Sequence, residues 1–185
     1  MIGFMPITWT QNEAANRLLD SDPLALLIGM VLDQQVRMEH AFSGPYELQQ
    51  RIGGLDAAKI ASMDPSQLER VFRQRPALHR FPGTMARRVQ AMCAAVARDY
   101  SGDAGAIWRG VDDASDLASR IRKLPGFGDA KVKILMAVLA KKFDVKPRGW
   151  EKYAATWHSI ADVDSPESME EARAVKRRMK AGAKG

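Results

Sequence analysis

Every long apolar stretch of this chain repeats at helical spacing. Leu24, Leu27, Ile28, Val31, Leu32 and Gln35 recur every three or four residues, as do Met85, Val89, Met92, Cys93 and Val96, and again Val132, Ile134, Leu135, Val138, Leu139 and Phe143. Alternating β-branched runs, the mark of a half-buried strand, do not occur. The expected fold is all-α, with about nine or ten helices.

Start and stop signals divide the pattern. Ser21-Asp22-Pro23 offers a cap followed by a first-turn proline, and predicts a helix over residues 24–36 that is apolar until Asp33-Gln34-Gln35 close it. Residues 38–42 predict a second helix or turn that breaks at Gly44-Pro45, and residues 47–52 a short helix stopped by Gly53-Gly54. Two more follow, over residues 56–61 and from Asp64-Pro65 to Phe72, then a long one over residues 85–100 introduced by Pro82-Gly83-Thr84. The last helices are expected over residues 116–123, 130–143 and 168–179. Residues 1–10 have no period and read as an extended arm, whose Trp9 either packs on the body or offers a face to a base. Residues 181–185 are expected to be disordered.

Between the helices at 116–123 and 130–143 lies Leu124-Pro125-Gly126-Phe127-Gly128. Pro125 cannot continue the first helix, the glycines permit positive φ or close approach, and the second helix begins with unpaired N–H groups. A bare helix N-terminus favours an anion, and Arg120, Arg122, Lys123, Lys131 and Lys133 flank the turn against Asp129 alone. The local chemistry reads as a backbone grip on a nucleic-acid phosphate. A plain connection between antiparallel helices also takes Pro and Gly.

Charge has to be read by position. The net charge of +6 comes from 28 basic and 22 acidic residues, and Arg173, Lys176, Arg177, Arg178, Lys180 and Lys184 account for the whole excess. The body is neutral overall, but Arg70, Arg73, Arg75, Arg80, Arg87 and Arg88, with His79, form a run that no acid interrupts. With 185 residues, 46% of them apolar, the chain is expected to build one compact domain or two packed lobes. No apolar run approaches the roughly 18 residues that span a bilayer, and no export segment is apparent, so a cytoplasmic protein is expected. The single cysteine, Cys93, excludes an intramolecular disulfide and a cluster held by several cysteines.

The pattern L-P-G-hydrophobic-G-x-x-K before an apolar helix resembles the helix-hairpin-helix (HhH-GPD) superfamily of base-excision DNA glycosylases. Two weaker marks agree in order: Leu32-Asp33-Gln34-Gln35 is similar to that family's L-x-Q-Q helix end, and a basic loop feeds the long helix that precedes the hairpin. Together they cover about residues 22–143. The resemblance implies a two-lobed helical bundle that binds double-stranded DNA as a monomer, flips a damaged or mismatched base into an inter-lobe pocket and cleaves its bond to the sugar. It implies no cofactor or metal here, because the cluster carried by many members needs four cysteines.

The resemblance also shows departures. Bifunctional members carry a lysine nucleophile two residues after the second hairpin glycine; that position is Ala130, and Lys131 comes one residue later, about 100° round the helix, where a phosphate is its expected partner. The family's aspartate, counted from the same point in a V-D-T-H loop, falls on Arg148 within Pro147-Arg148-Gly149-Trp150. An active enzyme is therefore expected to be monofunctional. Asp33 is the candidate carboxylate, with Gln34 beside it, in preference to Asp144 or Glu151. The expected DNA-binding residues are Leu124, Pro125, Gly126, Phe127, Gly128, Lys131, Arg87 and Arg88. The alternatives are a DNA-structure binder that has lost the chemistry and a helical protein-interaction domain.

Overall fold

The computed structural model describes residues 5–183. Among these the chain forms α1 (Glu13–Ser21), α2 (Pro23–Leu32), α3 (Met38–Ile52), α4 (Ala57–Ser62), α5 (Pro65–Arg73), α6 (Pro82–Tyr100), α7 (Ala114–Arg122), α8 (Asp129–Phe143) and α9 (Pro166–Gly182), with three short 3-10 turns and no strand. The chain is all-α, as its periodicity requires. Among the described residues no helix is long and apolar enough to cross a membrane.

α2 is the axis of the molecule. Its sequence, PLALLIGMVL, is apolar on every face, and every residue after Pro23 is buried. α1, α3 and α6 pack around it, and α4 and α5 lie on α6 to complete the first lobe. Gln90 on α6 holds the α4–α5 connection by donating to the carbonyls of Ile60 at 3.1 Å and Met63 at 2.7 Å. The second lobe is α7, α8, α9 and the segment before α9. There the apparently solvent-bound end of α8 is tied down: Lys142 is buried and donates to Val163 O at 2.9 Å, while Lys141 pairs with Asp162.

Several boundaries differ from expectation. α1 was not expected, because only Ala15 and Leu19 of it turn inward and so sparse an apolar pattern does not mark a helix; Asn12 caps it, accepting from Ala14 N and Ala15 N. The expected break at Gly44-Pro45 is absent, and α3 runs through it. Gly44 lies where α3 meets α2, so close that an added Cβ would fall 2.5 Å from Leu32 Cδ1. The glycine serves close approach there, and the loss of one N–H at Pro45 is tolerated. α2 ends at Leu32, four residues before the expected end, and Gln35 takes φ +57° in the turn beyond. α9 continues to Gly182, so residues 181 and 182 are helical where disorder was expected, and residues 184–185 lie outside the described residues. Of the arm, residues 1–4 lie outside the described residues; Trp9 is buried and meets Phe42 edge-on, with ring centroids 4.7 Å apart, which removes it as a base-stacking face.

Gly29 sits at the α2–α3 crossing, where an added Cβ would lie 2.6 Å from Phe42 Cδ1. Gly29→Ala should destabilise the protein by about 1–3 kcal/mol through overpacking, read as a lower urea midpoint with unchanged slope.

Candidate functional site

A helix that ends inside a protein leaves its last carbonyls in need of donors. At the end of α2 those donors come from three separate parts of the chain. Asp33 N–H closes on Gly29 O at 3.0 Å. Lys131 Nζ, from the first turn of α8, donates to Met30 O and to Val31 O, the latter at 3.1 Å. Gln34 Nε2 turns back to Val31 O at 2.9 Å. His79, from the loop before α6, donates from Nε2 to Leu32 O at 3.1 Å and to Gln34 O at 2.9 Å.

His79 is 2% exposed, and its other ring nitrogen accepts from Phe81 N–H at 3.0 Å. That arrangement fixes one neutral tautomer, with the proton on Nε2. Burial lowers its pKa below 6.5, and the nearby charges of His40 and Lys131 act in the same direction, against the two carbonyl bonds. In the sequence His79 reads as one more member of a basic run. In the structure it is a neutral clamp joining the α2 end to the loop that carries Arg80 and Phe81.

Asp33 caps α2, and its carboxylate is 10% exposed. Its Oδ1 pairs with Lys176 Nζ of α9 at 2.5 Å. Asp33, Lys131 and Lys176 form one end of a mostly apolar pocket of about 300 Å³, whose walls include Met30, Ile134 and Trp157. The pocket lies between the lobes, where the hairpin, α2 and α9 meet. Lys131 had been expected to reach a phosphate; its side chain turns inward instead. Burial lowers its pKa to about 8, with Lys176 and Arg88 adding to the effect and Asp33 opposing it.

Of the expected hairpin residues, Gly126 adopts φ +90° against Val31, and Gly128 begins α8 with no side-chain cap and open space around its Cα. Those glycines and Pro125 shape the exposed turn. Leu124 and Phe127 are buried, so their side chains anchor the hairpin, and any grip on DNA from these two positions falls to their backbone. Asp129 at the start of α8 pairs with Arg122 at 2.9 Å. Arg88 donates to Gln34 Oε1, which brings two expected residues together at the α2 end. Arg87 stands apart on the solvent side, near Glu69. Glu69 lies just before the basic run and also pairs with Arg73 at 2.6 Å, so the run is less positive than its sequence suggests.

The segment where the resemblance places an aspartate contributes no residue to the pocket. Arg148 pairs its backbone with Asp112 and Ala114, and Asp144 pairs with Lys146 at 2.8 Å. Neither Asp144 nor Glu151 lines the pocket; Asp33 does. Cys93 is buried on α6, its thiol pushed up to about 12, mainly by burial. Among the described residues no cluster of His, Cys, Asp or Glu is arranged to hold a metal ion.

An all-α pair of lobes, a glycine-rich hairpin and a carboxylate-bearing pocket between them define a helix-hairpin-helix protein. The model of the HhH-GPD superfamily of base excision DNA repair proteins matches residues 28–178, and the chain belongs to that family. No curated protein and no solved structure matches it. The chain is thus a base excision DNA repair protein whose partner is DNA.

Because the fold holds His79 neutral, its contribution to stability is complete above pH 6.5 and is lost as the pH falls from 6.5 towards the lower folded value, where the unfolded chain already binds the proton. His79→Ala should cost about 1–3 kcal/mol at neutral pH by leaving two carbonyls and Phe81 N–H short of partners. It should also reduce the stability difference between about pH 7.5 and about pH 5.5, measured by urea unfolding.

Proposed function

We propose that the chain is a monomeric, cytoplasmic, monofunctional DNA glycosylase that releases a damaged or mismatched base from double-stranded DNA. The observation that carries this reading is the placement of Asp33 at the end of an apolar inter-lobe pocket directly beside the hairpin. At about 300 Å³ the pocket falls at the lower end of the range of ~300–1,000 Å³ typical of ligand sites. A base turned out of the duplex has a flat apolar body and polar edges, and suits such a lining. As the bond to the sugar breaks, positive charge grows on the sugar ring, and a carboxylate beside it lowers the energy of that state or orients the attacking water.

The free protein holds Asp33 against Lys176, so productive binding has to draw Lys176 away from the carboxylate, which a DNA phosphate is equipped to do. Gln34 would border the same sugar, held by Arg88 and His79. Asp33→Asn should lower base release by about 100-fold or more while leaving DNA affinity nearly unchanged. The assay is incubation with duplexes carrying uracil, alkylated or oxidised bases, followed by alkali. No strand breaks on any of them, with equal affinity for lesion and intact duplex, would establish the non-catalytic alternative.

The inward position of Lys131 favours a second reading, in which the chain also cleaves the strand. With a pKa of about 8, about a tenth of the amine is neutral near pH 7 and about half near pH 8. A neutral Nζ released from Met30 O and Val31 O could attack the sugar C1′, displace the base and form an imine with loss of the ring oxygen bond. Borohydride reduces such an imine to a stable adduct. Under this reading trapping increases through about pH 8 and disappears in Lys131→Ala; absence of adduct at every pH leaves the monofunctional reading in place.

A further inference from the structure

Beside the pocket runs a wider groove, about 860 Å³, between α9 from Glu170 onward and the turn that follows α2. Six cations face it: Arg37, Arg80, Arg173, Lys176, Arg177 and Lys180. Glu170 is the one acid in its lining, and is already shared between Arg173 at 2.9 Å and Arg177 at 3.0 Å. Arg173 also pairs with Glu39 across the interface, and Lys176 pairs with Asp33. Arg37, Arg80 and Lys180 have no carboxylate partner among the described residues; Arg80 lies over the Phe81 ring, 5.4 Å from its centroid.

Two features set this concentration of charge apart from the rest of the surface. First, the cations interfere with one another: the pKa of Arg173 is lowered, by burial first and then by the neighbouring guanidiniums of Arg37 and Arg177, and its Nε is buried without a partner. Second, the groove is continuous with the pocket, for Met38, Lys176 and Lys180 line both. The glycine-rich turn of the hairpin supplies none of the groove's lining.

We propose that this groove seats the phosphates of the DNA strand whose nucleotide occupies the pocket, making α9 a second backbone grip on the far side of the pocket from the hairpin. The proposal rests on the reading of the pocket as a nucleotide site. It follows from continuity and charge: a nucleotide turned into the pocket brings its own flanking phosphates to the pocket's rim, where Lys176 and Lys180 line both spaces, and the unpaired Arg37 and Arg80 line the groove that continues from it. An extended strand satisfies several of them at once, which a single small anion cannot. Phe81, an exposed aromatic at 39%, lies beneath the guanidinium of Arg80.

The test compares Arg37→Gln/Arg80→Gln/Lys180→Gln with a control of equal charge loss outside the groove, Arg17→Gln/Lys59→Gln/Lys152→Gln. Affinity is measured by fluorescence anisotropy for a duplex carrying a stable abasic analogue, across a salt series. The groove variant should lose about tenfold or more in affinity and show a log–log salt slope shallower by about 2–3, while the control changes little. Ethylation of phosphates flanking the abasic site on its own strand should weaken the wild type and leave the groove variant unaffected. The proposal fails if groove and control variants behave alike, or if the ethylation effect lies only on the opposite strand. Failure of the nucleotide reading has a different signature, in which the wild type itself does not prefer the abasic duplex to an intact one. Exposed positions were chosen, and unchanged thermal melting verifies that each variant is folded.

Discussion

The end of α2 imposes a condition that the rest of the molecule meets. An apolar helix driven into the centre by burial carries its terminal carbonyls with it, and a carbonyl left bare in the interior costs about 1–3 kcal/mol. Met30, Val31 and Leu32 obtain their donors from Lys131 of the hairpin helix, Gln34 of the following turn and His79 of the loop before α6. Satisfying the backbone therefore sets the register of hairpin, turn and basic loop together. The pocket is the space left where those elements meet, and Asp33 is in it because it is the residue that caps the helix.

The same condition explains the electrostatics. Lys131 is the one cation among the described side chains that satisfy those carbonyls, and the negative end of a helix dipole favours it. Its amine lies near the carboxylate of Asp33, to which Lys176 is paired, and burial lowers its pKa to about 8. A site assembled to close a helix thus holds a carboxylate, an amine of reduced basicity and an apolar space, the groups that the proposed sugar chemistry requires. The groove along α9 extends the positive potential outward from the same point.

Much of this was legible in the sequence, for identifiable reasons. Helical periodicity is local, so the all-α class and the main helices followed from it, and the hairpin was visible because Pro and Gly act on the backbone directly. Asp33 and Gln34 stood out as polar residues closing an apolar helix. What the sequence concealed was long-range. Lys131 was placed by rotation about its own helix, but its direction is decided by the carbonyls of α2, about a hundred residues away in the chain. His79 looked like a surface cation because its neighbours are arginines, while burial and two carbonyl acceptors make it neutral. Gly44-Pro45 looked like a break because helix packing against Leu32 cannot be read from local sequence. The basic run from Arg173 looked like excess surface charge, although Lys176 is bound to Asp33 across 143 residues.

The central claim is that a nucleotide of DNA reaches the pocket closed by the end of α2. The most direct measurement is a crystal structure of the protein bound to a duplex containing a non-cleavable abasic analogue. The account predicts the analogue's sugar turned out of the helix and lying between Asp33 and Lys131, with Lys176 moved from the carboxylate to a phosphate. An abasic sugar that remains stacked in the duplex, with the pocket vacant and Lys176 still on Asp33, would contradict it.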